Sequence, residues 1–187
     1  MKKRTYYWDT ISEKIGKILL ETFDPNSSVC EIGFSGGHFL AFLNDKGYKK
    51  LSGVEIRKEQ YNKTLQAFQK ENLNINLINA DVLDLNHKYD GIFSTGLIQC
   101  LDEQKRAVFL KHVSQMSNTA FFTVPYIPVC RNIDSNESVA VEGCKEYPTG
   151  NIPYELSTIY DTVRVGTIKK ELTHLKDHII YYICSNM

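Results

Sequence analysis

The chain has 187 residues, of which 42% are apolar and 24% charged, an ordinary globular mixture long enough to bury a core on both faces of a sheet. Lys and Arg number 22 and Asp and Glu number 22, so the formal charge is zero, and the basic excess with which proteins offset nucleic-acid phosphates is missing. The N-terminus lacks a signal-type apolar core, and no apolar run approaches the ~20 residues of a spanning helix; a cytoplasmic monomer or homodimer acting on a small molecule, away from membranes and nucleic acid, is expected.

Residues 9–23 place Ile11, Ile15, Ile18 and Leu19 at helical spacing, and Asp24-Pro25-Asn26 ends that helix. Val29 to Ile32 is a short apolar run suited to a buried parallel strand. Helical and strand patterns then alternate: helix 37–44, strand 51–56, helix 58–71, strand 75–79, strand 89–94, helix 103–116 and strand 120–124. Segments 161–169 and 178–184 are β-branched and aromatic with only a short polar link, too short for a crossover helix, so they are expected to pair as an antiparallel hairpin. One domain over 1–187 is expected, with an N-terminal helix and flap over 1–27 and a substrate cap over 126–160, a stretch rich in Pro, Asn, Ser and Gly. Cys30, Cys100, Cys130, Cys144 and Cys184 contain no C-x-x-C pair; they read as thiols packed in the interior, Cys100 included, and no metal is expected.

The segment Val29-Cys30-Glu31-Ile32-Gly33-Phe34-Ser35-Gly36-Gly37-His38 runs from a strand through small residues into a helix. Such a turn lets the backbone approach a ligand closely and offers the unpaired amides of a helix start. The dinucleotide pattern G-x-G-x-x-G fails here, because His38 stands where its last small residue belongs. That spacing disfavours a dehydrogenase or epimerase.

Glu31 to Gly37 resembles the E-x-G-x-G-x-G motif of class I S-adenosylmethionine-dependent methyltransferases, with Ser35 in place of the second glycine and Gly36 beside it as a source of flexibility. The resemblance spans about 29–124 and implies a Rossmann-like α/β fold with a mostly parallel seven-stranded sheet. It implies that Glu31 helps hold the amino group of S-adenosylmethionine, with Gly33, Phe34, Ser35 and Gly37 along the cofactor. Glu55, closing the second strand and followed by Ile56, would accept hydrogen bonds from the ribose hydroxyls. Asp81 would receive the adenine amino group while Val82 packs on the ring, and Thr95, Gly96 and Leu97 would line the cofactor after the fourth strand. Asp84 and His87 read as loop residues.

The expected activity is methyl transfer to a small-molecule or sugar-type acceptor, leaving S-adenosylhomocysteine; a cofactor-binding partner subunit without activity and a protein or RNA methyltransferase are the alternatives. For a hydroxyl acceptor the candidate bases are His38, His87 or a loop acid, and His38, opening the helix after the glycine turn, is the best placed. Tyr7 and Trp8 in the Tyr6-Tyr7-Trp8 flap, and Tyr126, Arg131, Glu142, Tyr147 and Tyr154 in the cap, are candidate substrate contacts.

Overall fold

Apolar runs alternating with amphipathic stretches fold as the pattern predicts in the computed structural model, which describes residues 10–125, 152–169 and 178–187. The strands run β3-β2-β1-β4-β5-β7-β6 in a seven-stranded sheet, parallel except where β7 meets its neighbours. The chain divides into two compact units at the start of β4, after Gly91.

The first unit is built from α1 (Thr10–Thr22), β1 (Ser28–Ile32), α2 (His38–Asp45), β2 (Lys50–Val54), α3 (Lys58–Lys70) and β3 (Asn76–Ile78). β1 and β2 pair in parallel with Glu31 opposite Gly53, and β2 pairs with β3 with Gly53 opposite Leu77. β1 reads as a short, largely apolar run with all but its first residue buried, as suits an inner parallel strand. Leu19 of α1, Val29 and Cys30 of β1 and Leu40 and Leu43 of α2 are fully buried. Gly53 is required by this packing: a methyl group there would sit 2.6 Å from Leu40 Cδ1 and 2.7 Å from Phe34 Cδ1.

The second unit contains most of β4 (Gly91–Thr95), then α4 (Glu103–Met116), β5 (Thr119–Pro125), α5 (Ile152–Ser157), β6 (Thr162–Lys169) and β7 (His178–Ser185). Asp102 caps α4 by accepting from the Lys105 amide at 2.8 Å, and the helix buries Phe109, Leu110 and Val113. β4 and β5 are parallel, while β7 pairs antiparallel with both β5 and β6. On β6, Gly166 faces Tyr181 of β7, whose ring covers the bare backbone and stacks on Phe121 with centroids 6.0 Å apart.

Three expectations need correction. Strand β2 ends at Val54, so Glu55 and Ile56 lie in the turn beyond it. The stretch 126–160, expected as a cap of loop composition, contains α5; a six-residue helix is too short to leave a periodic signature. Cys30 and Cys184 are buried thiols, but Cys100 is exposed, because the short 3₁₀ turn 98–100 buries Ile98 and turns its last residue outward. The Tyr6-Tyr7-Trp8 flap and Tyr126, Arg131, Glu142 and Tyr147 lie outside the described residues. Tyr154, within α5, is exposed. No helix among the described residues is long and apolar enough to cross a membrane.

Candidate functional site

The acids singled out in the sequence follow or close successive parallel strands of the first unit, at the carboxyl ends where open α/β sheets bind ligands. Glu31 sits on β1, Glu55 follows β2 and Asp81 follows β3.

Glu31 is 2% exposed, and its Oε2 has no hydrogen-bond partner among the described residues. Burial pushes its pKa well above the usual carboxylate range; the Leu40 backbone amide opposes the shift by hydrogen bonding, and the neighbouring charge of Glu55 adds to it. Immediately beyond, the chain turns through left-handed conformations at Gly33 (φ 75°), Ser35 (φ 46°) and Gly37 (φ 66°). The flexibility expected of Gly36 is not used, since the serine itself takes the left-handed conformation. An L side chain costs about 1–2 kcal/mol there, and the turn is held from both sides. Thr64 of α3 donates to the Ser35 carbonyl at 2.6 Å, and the Ser35 amide donates to Glu55 Oε2 at 3.1 Å. Phe34, expected along the cofactor, turns its ring into the core against Gly53, so only its backbone remains for a ligand. His38 is exposed at the first position of α2, with its ring beside Gly36.

Glu55 is also 2% exposed. Besides the Ser35 amide, its carboxylate accepts from the Arg57 amide (2.9 Å to Oε1), Arg57 Nε (3.0 Å to Oε1) and Arg57 Nη2 (3.2 Å to Oε2). Burial alone would raise its pKa; the hydrogen bonds from Arg57 and Ser35, with the guanidinium charge, outweigh burial and hold it below the usual range. Asn79 fixes the same turn by donating to the carbonyls of Glu55 (2.7 Å) and Ile56 (3.2 Å). Ile56 stands 62% exposed beside this carboxylate, an apolar platform without a cover. Asp81 caps a 3₁₀ turn over 82–84 by accepting from the Leu83 amide at 3.0 Å through Oδ1. Val82 is buried and Leu83 beside it is exposed.

In the second unit, taken by itself, Thr95 ends β4 and Gly96 follows in a left-handed conformation with Leu97 after it. The Gly96 amide donates to the Thr123 carbonyl at 3.2 Å, and the Gly96 carbonyl accepts from Gln99 Nε2 at 2.7 Å. Arg57, Thr64, Asn79 and Gln99 were not singled out in the sequence. They carry no motif, and only the folded backbone brings them to these turns.

A family model described as a methyltransferase domain matches residues 29–119, from the start of the glycine strand to the start of β5. No curated protein matches the chain by sequence. Among solved structures, the chain resembles magnesium protoporphyrin IX methyltransferase from Synechocystis PCC 6803 with bound S-adenosylhomocysteine, at TM-score 0.73 and 14% identity over 92% of this chain and 81% of that one. It also resembles an S-adenosylmethionine-dependent methyltransferase from Clostridium acetobutylicum ATCC 824 (TM-score 0.70, 14% identity, 93% and 89% covered). A third likeness is to the N-terminal domain of EvdMO1 in the presence of S-adenosylhomocysteine and D-fucose (TM-score 0.68, 17% identity, 93% and 82% covered). At such identities these are likenesses of fold. The shared fold is that of S-adenosylmethionine-dependent methyltransferases, and the methyltransferase-domain model matches the part of the chain that carries the glycine turn.

Proposed function

We propose that the protein transfers the methyl group of S-adenosylmethionine to a small-molecule or sugar-type hydroxyl acceptor, and that the turns after β1, β2 and β3 hold the cofactor. The observation that carries the reading is Glu31 Oε2, a buried acceptor without a partner among the described residues, at the entrance of a left-handed glycine turn. Such an atom costs about 1–3 kcal/mol until a donor reaches it. The α-ammonium group of the cofactor's methionine part supplies that donor and the charge that keeps the carboxylate ionised. Glu55 then holds the ribose, Ile56 and the Leu83 turn flank the adenine, and Asp81 receives its amino group; Gly33, Ser35 and Gly37 line the backbone side.

The cofactor supplies an electrophilic methyl carbon on a sulfonium. The chain's work is to orient the acceptor and exclude water, which can account for about 7–11 kcal/mol of barrier lowering. His38 is the candidate base for a hydroxyl acceptor, and His38→Ala should lower kcat about 10²–10⁴-fold with the Kd for S-adenosylhomocysteine unchanged. A small acceptor is supported by the zero net charge and by the likeness to folds crystallised for a tetrapyrrole methyltransferase and with a sugar present. Incubation of the protein with radiolabelled S-adenosylmethionine and a size-fractionated cell extract tests it. Label is expected in the small-molecule fraction; label retained only by protein or RNA overturns the acceptor class.

A further inference from the structure

A carboxylate has about four acceptor positions, two on each oxygen, and in Glu55 all four are taken. Oε1 accepts from the Arg57 amide and Arg57 Nε, and Oε2 accepts from the Ser35 amide and Arg57 Nη2. The two amide donors are main chain, one in the glycine turn and one at the start of α3, and neither can leave without unfolding its element. The other two come from one side chain, a single guanidinium fork that places one N–H on each oxygen. That side chain is 64% exposed, whereas the carboxylate it covers is 2% exposed.

A ribose diol presents two O–H donors from adjacent carbons, and it too would place one on each oxygen. We propose that Arg57 is a latch that stands in for the ribose, filling the two Glu55 positions the cofactor's sugar needs, so that cofactor binding is an exchange in which the guanidinium moves out to solvent. The proposal rests on the reading that Glu55 holds the ribose. The exchange keeps the buried carboxylate satisfied in both states, as a buried anion requires. It also lowers apparent affinity by the fraction of molecules in which the latch is closed. Because one face of the ion pair meets solvent, salt weakens the latch.

Calorimetric titration of the full chain with S-adenosylhomocysteine tests this through binding alone. Arg57→Ala and Arg57→Gln should bind roughly three- to thirtyfold more tightly than wild type, since the competitor is gone. The gain should vanish for the analogue lacking both ribose hydroxyls, which has no claim on those positions. Raising salt should tighten binding to wild type and leave Arg57→Ala unmoved. Equal or weaker binding by both Arg57 variants overturns the latch, and so does an equal gain for the analogue without hydroxyls. Glu55→Gln separates the two levels of the claim. Unchanged binding of S-adenosylhomocysteine by that variant removes the ribose reading itself, whereas weakened binding by Glu55→Gln with no gain in Arg57→Ala removes the latch alone.

Discussion

Glu31 and Glu55 are both 2% exposed, yet their surroundings move them in opposite directions. Burial of Glu31, one oxygen of which has no partner among the described residues, favours its protonated form on folding. Its contribution to stability is present below the unfolded value near 4.5 and is lost as pH rises through its raised folded pKa. Glu55 is held below 4.5, so its contribution is present above that value and is lost as pH falls through its folded pKa. Glu31→Gln should therefore flatten the loss of apo stability above pH 4.5 while weakening binding of S-adenosylhomocysteine at least tenfold; urea titrations across pH and calorimetry read the two effects. A variant that keeps both the pH slope and the affinity would show that Glu31 faces no ligand. Glu55→Ala takes from the Ser35 amide its carboxylate acceptor and should cost about 1–3 kcal/mol of stability. The sequence placed that carboxylate at a strand end but not in the interior: nothing in its spacing announces that Arg57 folds back over it. Ser35 offers a third residue-scale check. Ser35→Gly should leave stability within about 1 kcal/mol of wild type, because relief of the left-handed strain is offset by glycine's entropy. Ser35→Val should lose about 1–3 kcal/mol, since a β-branched residue tolerates that conformation worst.

At the scale of elements, the alternating strands and helices were legible, and the six-residue α5 was not. Helices α1, α3 and α4 and the antiparallel pairing of β6 with β7 follow from hydrophobic period and link length, and they sit within a residue or two of the expected bounds. α5 escaped because its place is fixed by one long-range ion pair. Glu155 receives the buried Arg106 of α4 at 2.6 Å through both Nε and Nη2, and Arg106 also donates to the Leu101 carbonyl at 3.2 Å. Arg106 occurs in a helical pattern where an arginine reads as surface, and its 2% exposure appears only after α5 docks. Removing one partner strands a buried charge, so Glu155→Ala should cost about 3–5 kcal/mol. The double variant Arg106→Met with Glu155→Leu should recover most of that loss, since an apolar pair of similar volume avoids desolvating two charges. Chemical denaturation of the three chains checks it, and a single variant as stable as wild type would show that the pair does not anchor α5.

The charge of the whole chain bears on the acceptor more directly than the fold does, because one methyltransferase architecture serves many acceptors. Alternating elements and the glycine turn made the fold legible, but the acceptor depends on side chains that no strand or helix period organises. What remains readable is the balance of 22 basic against 22 acidic residues. A protein gripping a structured RNA gains most of its affinity from phosphate neutralisation, and each phosphate contact steepens the fall of affinity with salt. With acids such as Glu13 and Glu59 already paired to the neighbouring Lys17 and Lys63 on helix surfaces, part of the basic complement is engaged within the chain. Fluorescence anisotropy with a duplex RNA at physiological salt should show nothing tighter than the ~10⁻⁴–10⁻⁶ M of non-specific binding. Transfer of label to the small-molecule fraction should also persist in excess heparin, a polyanion that would occupy any phosphate-binding face. Submicromolar RNA binding with a steep salt slope, or loss of transfer in heparin, would move the acceptor from a small hydroxyl compound to a nucleic acid.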